Sequence, residues 1–147
     1  TPALVGQGAA AISAGATAGD SDMAWAESIL GAVGTVVRVP ESQLDAVTGL
    51  AGSGPAYLFL VAESLINAGV AAGLSHGDSE SLVTQLFVGS AALLQERGDP
   101  AELRKMVTSP GGTTAAGLRV LDESGVREAF LEAVMAAKAR SIELGRG

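Results

Sequence analysis

The stretch GSGPAYLFLVAESLINAGVAAG, Gly52 to Gly73, decides the fold. Ser53 can cap a helix start, and Pro55 is tolerated in a first turn, where its missing N–H costs nothing. A helix is therefore expected from about Gly54 to about Ala72. Tyr57, Leu58, Leu60, Val61, Leu65, Ile66 and Val70 fall all around it, so it should be buried on most sides. Glu63 is its one charge, and must find a partner or water. Gly69 and Gly73, four apart, would allow close contact between helices.

Downstream, only helices are expected. Ser75 followed by Asp78 is a capping-box-like pair, opening a helix through Leu82, Val83, Leu86, Phe87, Leu93 and Leu94 that stops at Gly98. Asp99 then caps, Pro100 takes the first helical position and Glu102 is placed to bond back. Proline disfavours helical backbone in the residue before it, so Ser109-Pro110-Gly111-Gly112 is a forced turn. Thr113 or Thr114 begins a short helix through Leu118 and Leu121. After Gly125 a last helix carries Phe130, Val134 and Ile142 to Gly145.

Upstream the pattern changes. Ala9 to Ala14 is strand-like in length. Asp20 or Ser21 can cap a helix with Trp25, Ile29 and Val33 on one face, ended by Gly34. Thr35 to Val39 is β-branched and strand-like, and Pro40 closes it. Such a strand–helix–strand piece is too small for a domain. With the start at Thr1-Pro2, it predicts the end of a larger α/β unit. The expected fold is thus mainly α, with residues 41–147 a helical domain and residues 1–40 an α/β remnant.

Composition limits the partners. The chain is 48% hydrophobic but only 3% aromatic. Burial stabilises by roughly 25 cal/mol per Å² and alanine offers little area, so a second subunit is expected to cover apolar surface. Net charge is −7, and nine scattered Lys and Arg form no basic stripe, which argues against nucleic acid. No run of about 18 strongly apolar residues is free of glycine and charge, so no membrane span is expected. Nothing at the start resembles a signal peptide, and the cytoplasm is the expected location. Cysteine is absent, excluding disulfides and thiol catalysis. With one histidine, His76, a metal site would need carboxylates alone, and none is expected. His76 reads as a solvated first-turn residue. No Gly-x-Ser-x-Gly elbow accompanies it, which sets hydrolysis aside.

Two loops could carry chemistry. Ser109-Pro-Gly-Gly-Thr-Thr114 leads into a helix whose first N–H groups lack internal partners, and they suit a small anion at the positive end of the helix dipole. Ser109, Thr113 and Thr114 add hydroxyls. In isolation, a sharp helix–helix turn is the commoner use of Pro-Gly-Gly. Gly52-Ser-Gly-Pro-Ala-Tyr57 offers amides and a hydroxyl in the same way, though an ordinary helix start would also look like this. Gly6-x-Gly8 lacks the third glycine of a dinucleotide fingerprint.

Taken together, these segments carry a resemblance. Residues 100–122, PAELRKMVTSPGGTTAAGLRVLD, resemble the signature of the pyrroline-5-carboxylate reductases. Ala51 to Tyr57 is similar to that family's other shared segment, and Thr1 to Gly6 to the stretch ending its cofactor domain. The resemblance spans essentially the whole chain. It implies reduction of 1-pyrroline-5-carboxylate to proline with NADPH or NADH. It also implies an N-terminal Rossmann-type domain, and a helical dimerisation domain that interleaves with a homodimer partner. Many members assemble further, into rings of five dimers. Carried over, Ser109 and the amides of Gly111, Gly112 and Thr113 bind the substrate carboxylate. Thr114 is the catalytic residue, hydrogen-bonding the ring nitrogen. A threonine hydroxyl is too weak an acid to supply the proton except by relay, so it mainly orients the substrate. Ser53 and Pro55 approach the nicotinamide. Ala51 stands where the family often has serine. No strand–Gly-rich turn–helix unit is present, so the chain alone is expected to hold no cofactor tightly and to be inactive. The competing reading is a non-catalytic dimerisation or amino-acid-binding module. A purely structural role would leave both loops as coincidence.

Overall fold

A computed structural model describes residues 1–146. It is mainly helical, with one strand–helix–strand piece at the start, as the sequence leads one to expect. The chain divides into two compact units, Thr1–Tyr57 with Ala129–Gly147, and Leu58–Glu128.

In the first unit, β1 (Gly8–Ile12) pairs in parallel with β2 (Gly34–Arg38), Gly8 opposite Gly34 and Ile12 opposite Arg38. Parallel neighbours need a crossover of a dozen or more residues, and α1 (Asp20–Gly31) supplies it. A side chain on Gly34 would run into the Gly8 backbone, so glycine is required where the strands begin together. Glycine 34 thus opens the strand; it does not end the helix, which stops at Gly31. Asp20 and Ser21 are not caps. Gly19 holds the cap position and donates its N–H to the Asp22 carboxylate at 2.9 Å, because Asp22, one turn in, can reach back. Met23 is the buried side chain of α1, while Trp25, Ile29 and Val33 are exposed. Arg38 donates to both Glu27 oxygens, at 2.6 and 2.7 Å, joining β2 to α1. That hydrogen-bonded guanidinium holds the Glu27 carboxyl below the usual carboxylate range.

After Pro40, one helical turn (Glu41–Gln43) and α2 (Leu44–Val47) lead into a π-helical turn at Thr48–Gly52, which runs on into α3 (Gly54–Ala71). The sequence reading expected a capped start here. Instead Ser53 has helical backbone, φ −86° and ψ −24°, and its N–H donates to Thr48 O at 2.9 Å. The cause is Pro55, which brings no N–H and whose ring presses on the carbonyl four residues back. A π-turn lets the chain pass that point without breaking. The last helix, α7 (Val126–Leu144), lies against this segment. Ser141 donates to Asp45 at 2.7 Å. Gly49 is buried, and a Cβ there would sit 2.7 Å from Val134 O and 3.0 Å from Lys138 N. Gly49→Ala is therefore expected to lower stability by about 2 kcal/mol in urea unfolding, since overpacking outweighs the ~1 kcal/mol gain in helix propensity. An unchanged midpoint would show that α7 does not close on this turn.

The second unit holds most of α3, then α4 (His76–Arg97), α5 (Pro100–Met106) and α6 (Thr113–Glu123). The caps are largely those expected. Ser75 Oγ accepts from Asp78 N–H at 3.1 Å, and Asp99 accepts from the N–H groups of Ala101 and Glu102. Glu102 turns toward Lys105, 3.9 Å away. Of the two expected contact glycines only Gly69 serves, because Ser79 on α4 fills the space its Cβ would need. Gly73 lies past the helix end with φ +104°, a turn conformation. The expectation that α3 is buried on most sides is not met within this chain. Leu58, Phe59 and Leu60 are more than half exposed. The helical stretch Glu41–Ala71 is, by length and composition alone, long and apolar enough to cross a membrane. The sequence reading missed this by requiring a run without glycine or charge.

Candidate functional site

The Ser109–Gly112 segment forms a tight turn between α5 and α6. Gly112 N–H donates to Ser109 O at 3.0 Å, Pro110 takes the second position, and Gly111, φ +70°, the third. That is the pattern of a type II turn, which demands glycine where φ is positive. Gly112 then caps α6 with extended backbone, φ −77° and ψ 173°. It has no side chain to satisfy the first helical amides. Among the described residues, the N–H groups of Gly111, Thr113 and Thr114 have no backbone acceptor. These amides stand with the Ser109, Thr113 and Thr114 residues exposed on one turn. The Gly112 amide, expected in the anion cradle, is instead spent inside the turn, because Pro110 folds the chain back onto Ser109 O. A Cβ on Gly112 would collide with Ser109 Oγ and lie 3.2 Å from Ser109 O.

The other expected residues, Ser53 and Pro55, belong to the first unit, both half-buried just after the π-turn. His76 is exposed in the first turn of α4. It lines a cleft of about 380 Å³ with Glu63, Ile66 and Asn67, a lining to which neither loop contributes. No group of three or more metal-ligating side chains occurs among the described residues. Sequence reasoning missed Tyr57 and Gly49 as residues that shape the Ser53 segment. Pro55 amid Gly49, Gly52 and Gly54 was the signal that could have suggested a π-turn. Gly6 and Gly8 lead into a strand, so their amides do not open a helix toward a pyrophosphate.

Residues 41–144 match the family described as pyrroline-5-carboxylate reductase dimerisation. The chain is 49% identical to a pyrroline-5-carboxylate reductase of Synechocystis, over 99% of this chain and 55% of that protein. Among solved structures it is similar to the pyrroline-5-carboxylate reductase of Coxiella burnetii, with TM-score 0.94 and 40% identity over 98% of this chain and 54% of that one. It is also similar to the Plasmodium falciparum pyrroline carboxylate reductase solved with NADP bound, TM-score 0.87 and 34% identity, covering 98% and 58%. The chain spans about half the length of the relatives it matches. On its motifs, its fold and most of its length, this chain belongs to the pyrroline-5-carboxylate reductase dimerisation family.

Proposed function

We propose that this chain is the substrate-loop and dimer-forming part of an enzyme that reduces 1-pyrroline-5-carboxylate to proline. The observation carrying this reading is the Ser109–Thr114 turn, where unpaired amides and three hydroxyl-bearing residues meet at the start of α6 in a member of this family. The substrate carboxylate lies on the Gly111 and Thr113 amides and Ser109 Oγ, at the positive end of the helix. Thr114 Oγ1 faces the ring nitrogen. NADPH or NADH supplies the hydride for the imine carbon. The imine binds already protonated from solvent, as the iminium, so the C=N π pair becomes the nitrogen lone pair and no acid is needed in the site. Thr114 orients that nitrogen; it does not act as the acid.

Ser53 and Pro55 meet the nicotinamide end of the cofactor. The described residues form no pyrophosphate cradle, so the 147 residues alone hold the cofactor weakly and do not turn over. Residues 1–40 then belong with the cofactor domain and 41–147 form the helical domain, working in the cytoplasm. A second copy of the chain covers the apolar faces of α3; a lipid bilayer does not. Glu63 and Asn67 near the middle of that helix suit a protein interface better than hydrocarbon.

Cofactor oxidation with 1-pyrroline-5-carboxylate, run on the full gene product beside this chain, tests the reading. Turnover by the long form alone supports it. Silence from both favours a non-catalytic dimerisation or amino-acid-binding module. Thr114→Ala in the long form is expected to lower kcat/KM about 10- to 100-fold, the worth of a hydrogen bond to a charged group. Unchanged steady-state constants would remove Thr114 from the mechanism.

A further inference from the structure

Tyr57 has no part in the function proposed above, yet its hydroxyl is placed where the backbone needs a donor. In a regular α-helix the Gly49 carbonyl would accept the Ser53 N–H. In the π-turn that N–H goes to Thr48 O at 2.9 Å, and Gly49 O loses its helical donor. The half-buried Tyr57 hydroxyl lies 3.3 Å from Gly49 O and 3.4 Å from Ala133 O on α7. One proton serves two acceptors, a long three-centre arrangement that fixes geometry more than it adds strength. The same turn is where Gly49, lacking a side chain, admits the α7 backbone at Val134 and Lys138. Tyr57 is thus a strut from the first turn of α3 to both the π-turn and α7. Ser53 and Pro55 lie between its two points of attachment on this segment, Gly49 and Tyr57.

We propose that Tyr57 is a positioning residue: it latches the π-turn to α7 and so fixes Ser53 and Pro55 where they meet the nicotinamide. This rests on the function proposed above. Tyr57 touches no reacting atom, so its loss should disturb the alignment for hydride transfer more than the binding of either substrate.

The test uses the full-length enzyme and Tyr57→Phe, which keeps the ring and removes the hydroxyl. Amide hydrogen exchange over residues 48–57 is read beside imine reduction, with ordinary cofactor and with cofactor deuterated at the transferred position. Exchange there is expected to quicken about fivefold, and kcat to fall about fivefold, the worth of one net hydrogen bond. The primary isotope effect on kcat should rise while KM for the imine holds. Unchanged exchange overturns the latch, whatever the enzyme does. Faster exchange with unchanged kcat and isotope effect overturns the positioning role. A fall in kcat that only tracks loss of folded enzyme, with the isotope effect constant, also overturns it. A wild-type enzyme that fails to reduce the imine fails the function itself and this inference with it. An active wild type with an indifferent variant fails this inference alone.

Discussion

Gly112→Val in the full-length enzyme is expected to lower imine reduction at least about 100-fold. Two faults combine in that substitution. The new Cβ would collide with Ser109 Oγ and crowd Ser109 O, the acceptor that closes the turn. Ser109 must rotate or the turn must open, and either change moves one arm of the proposed anion cradle. A displacement of about 1 Å at a reacting centre costs about 100-fold. The second fault is local, since Gly112 caps α6 and valine is a much poorer helix N-cap than glycine. Gly111→Ala should also cost activity, by a different route, because φ +70° there strains any residue with a Cβ. Steady-state kinetics with a circular dichroism melt separates the cases. A folded Gly112→Val enzyme with full activity would sink the carboxylate cradle, and with it the proposed role of Ser109.

The turn that carries the proposed site was legible because its residues speak through the backbone. Pro110 and Gly111 admit few turn types, and Asp99-Pro100 announces the preceding helix without help from tertiary structure. The spending of the Gly112 amide was not legible, since it depends on which carbonyl the turn folds onto. At Ser53 the same residue types misled. Serine before Gly-Pro is a good cap, but the helix already existed upstream, and the proline produced a π-turn inside it. Caps are read from a few neighbouring residues, whereas a helix that continues past a proline also draws on distant packing, here α7 against Gly49 and Tyr57. Burial was the least legible property. Apolar residues all around α3 announce a buried helix, but they do not say whether this chain or another buries it.

Phe59→Asp is expected to dissociate the proposed homodimer, raising its dissociation constant roughly a thousandfold. The chain exposes 10517 Å² at 14.5 kDa, where a folded monomer of that mass exposes about 6,900 Å². A standard interface covers about 800 Å² per partner, so the excess is several times what a stable dimer needs. Among the described residues, Met23 and Val83 are the apolar side chains buried within this chain, a small core for its size. Phe59 is 61% exposed, between Leu58 at 54% and Leu60 at 62%. On a helix these three consecutive positions point in different directions, so a partner covering all of them must wrap α3. An aspartate there would be buried without a counter-charge, a cost of about 4 kcal/mol. Sedimentation of the wild-type chain, Phe59→Asp and a Glu96→Gln surface control at matched concentrations reads the effect. A dimer that survives Phe59→Asp would mean that this face is not covered by a second copy. Recovery of the wild-type chain with lipid vesicles would then assign the apolar stretch Glu41–Ala71 to a bilayer.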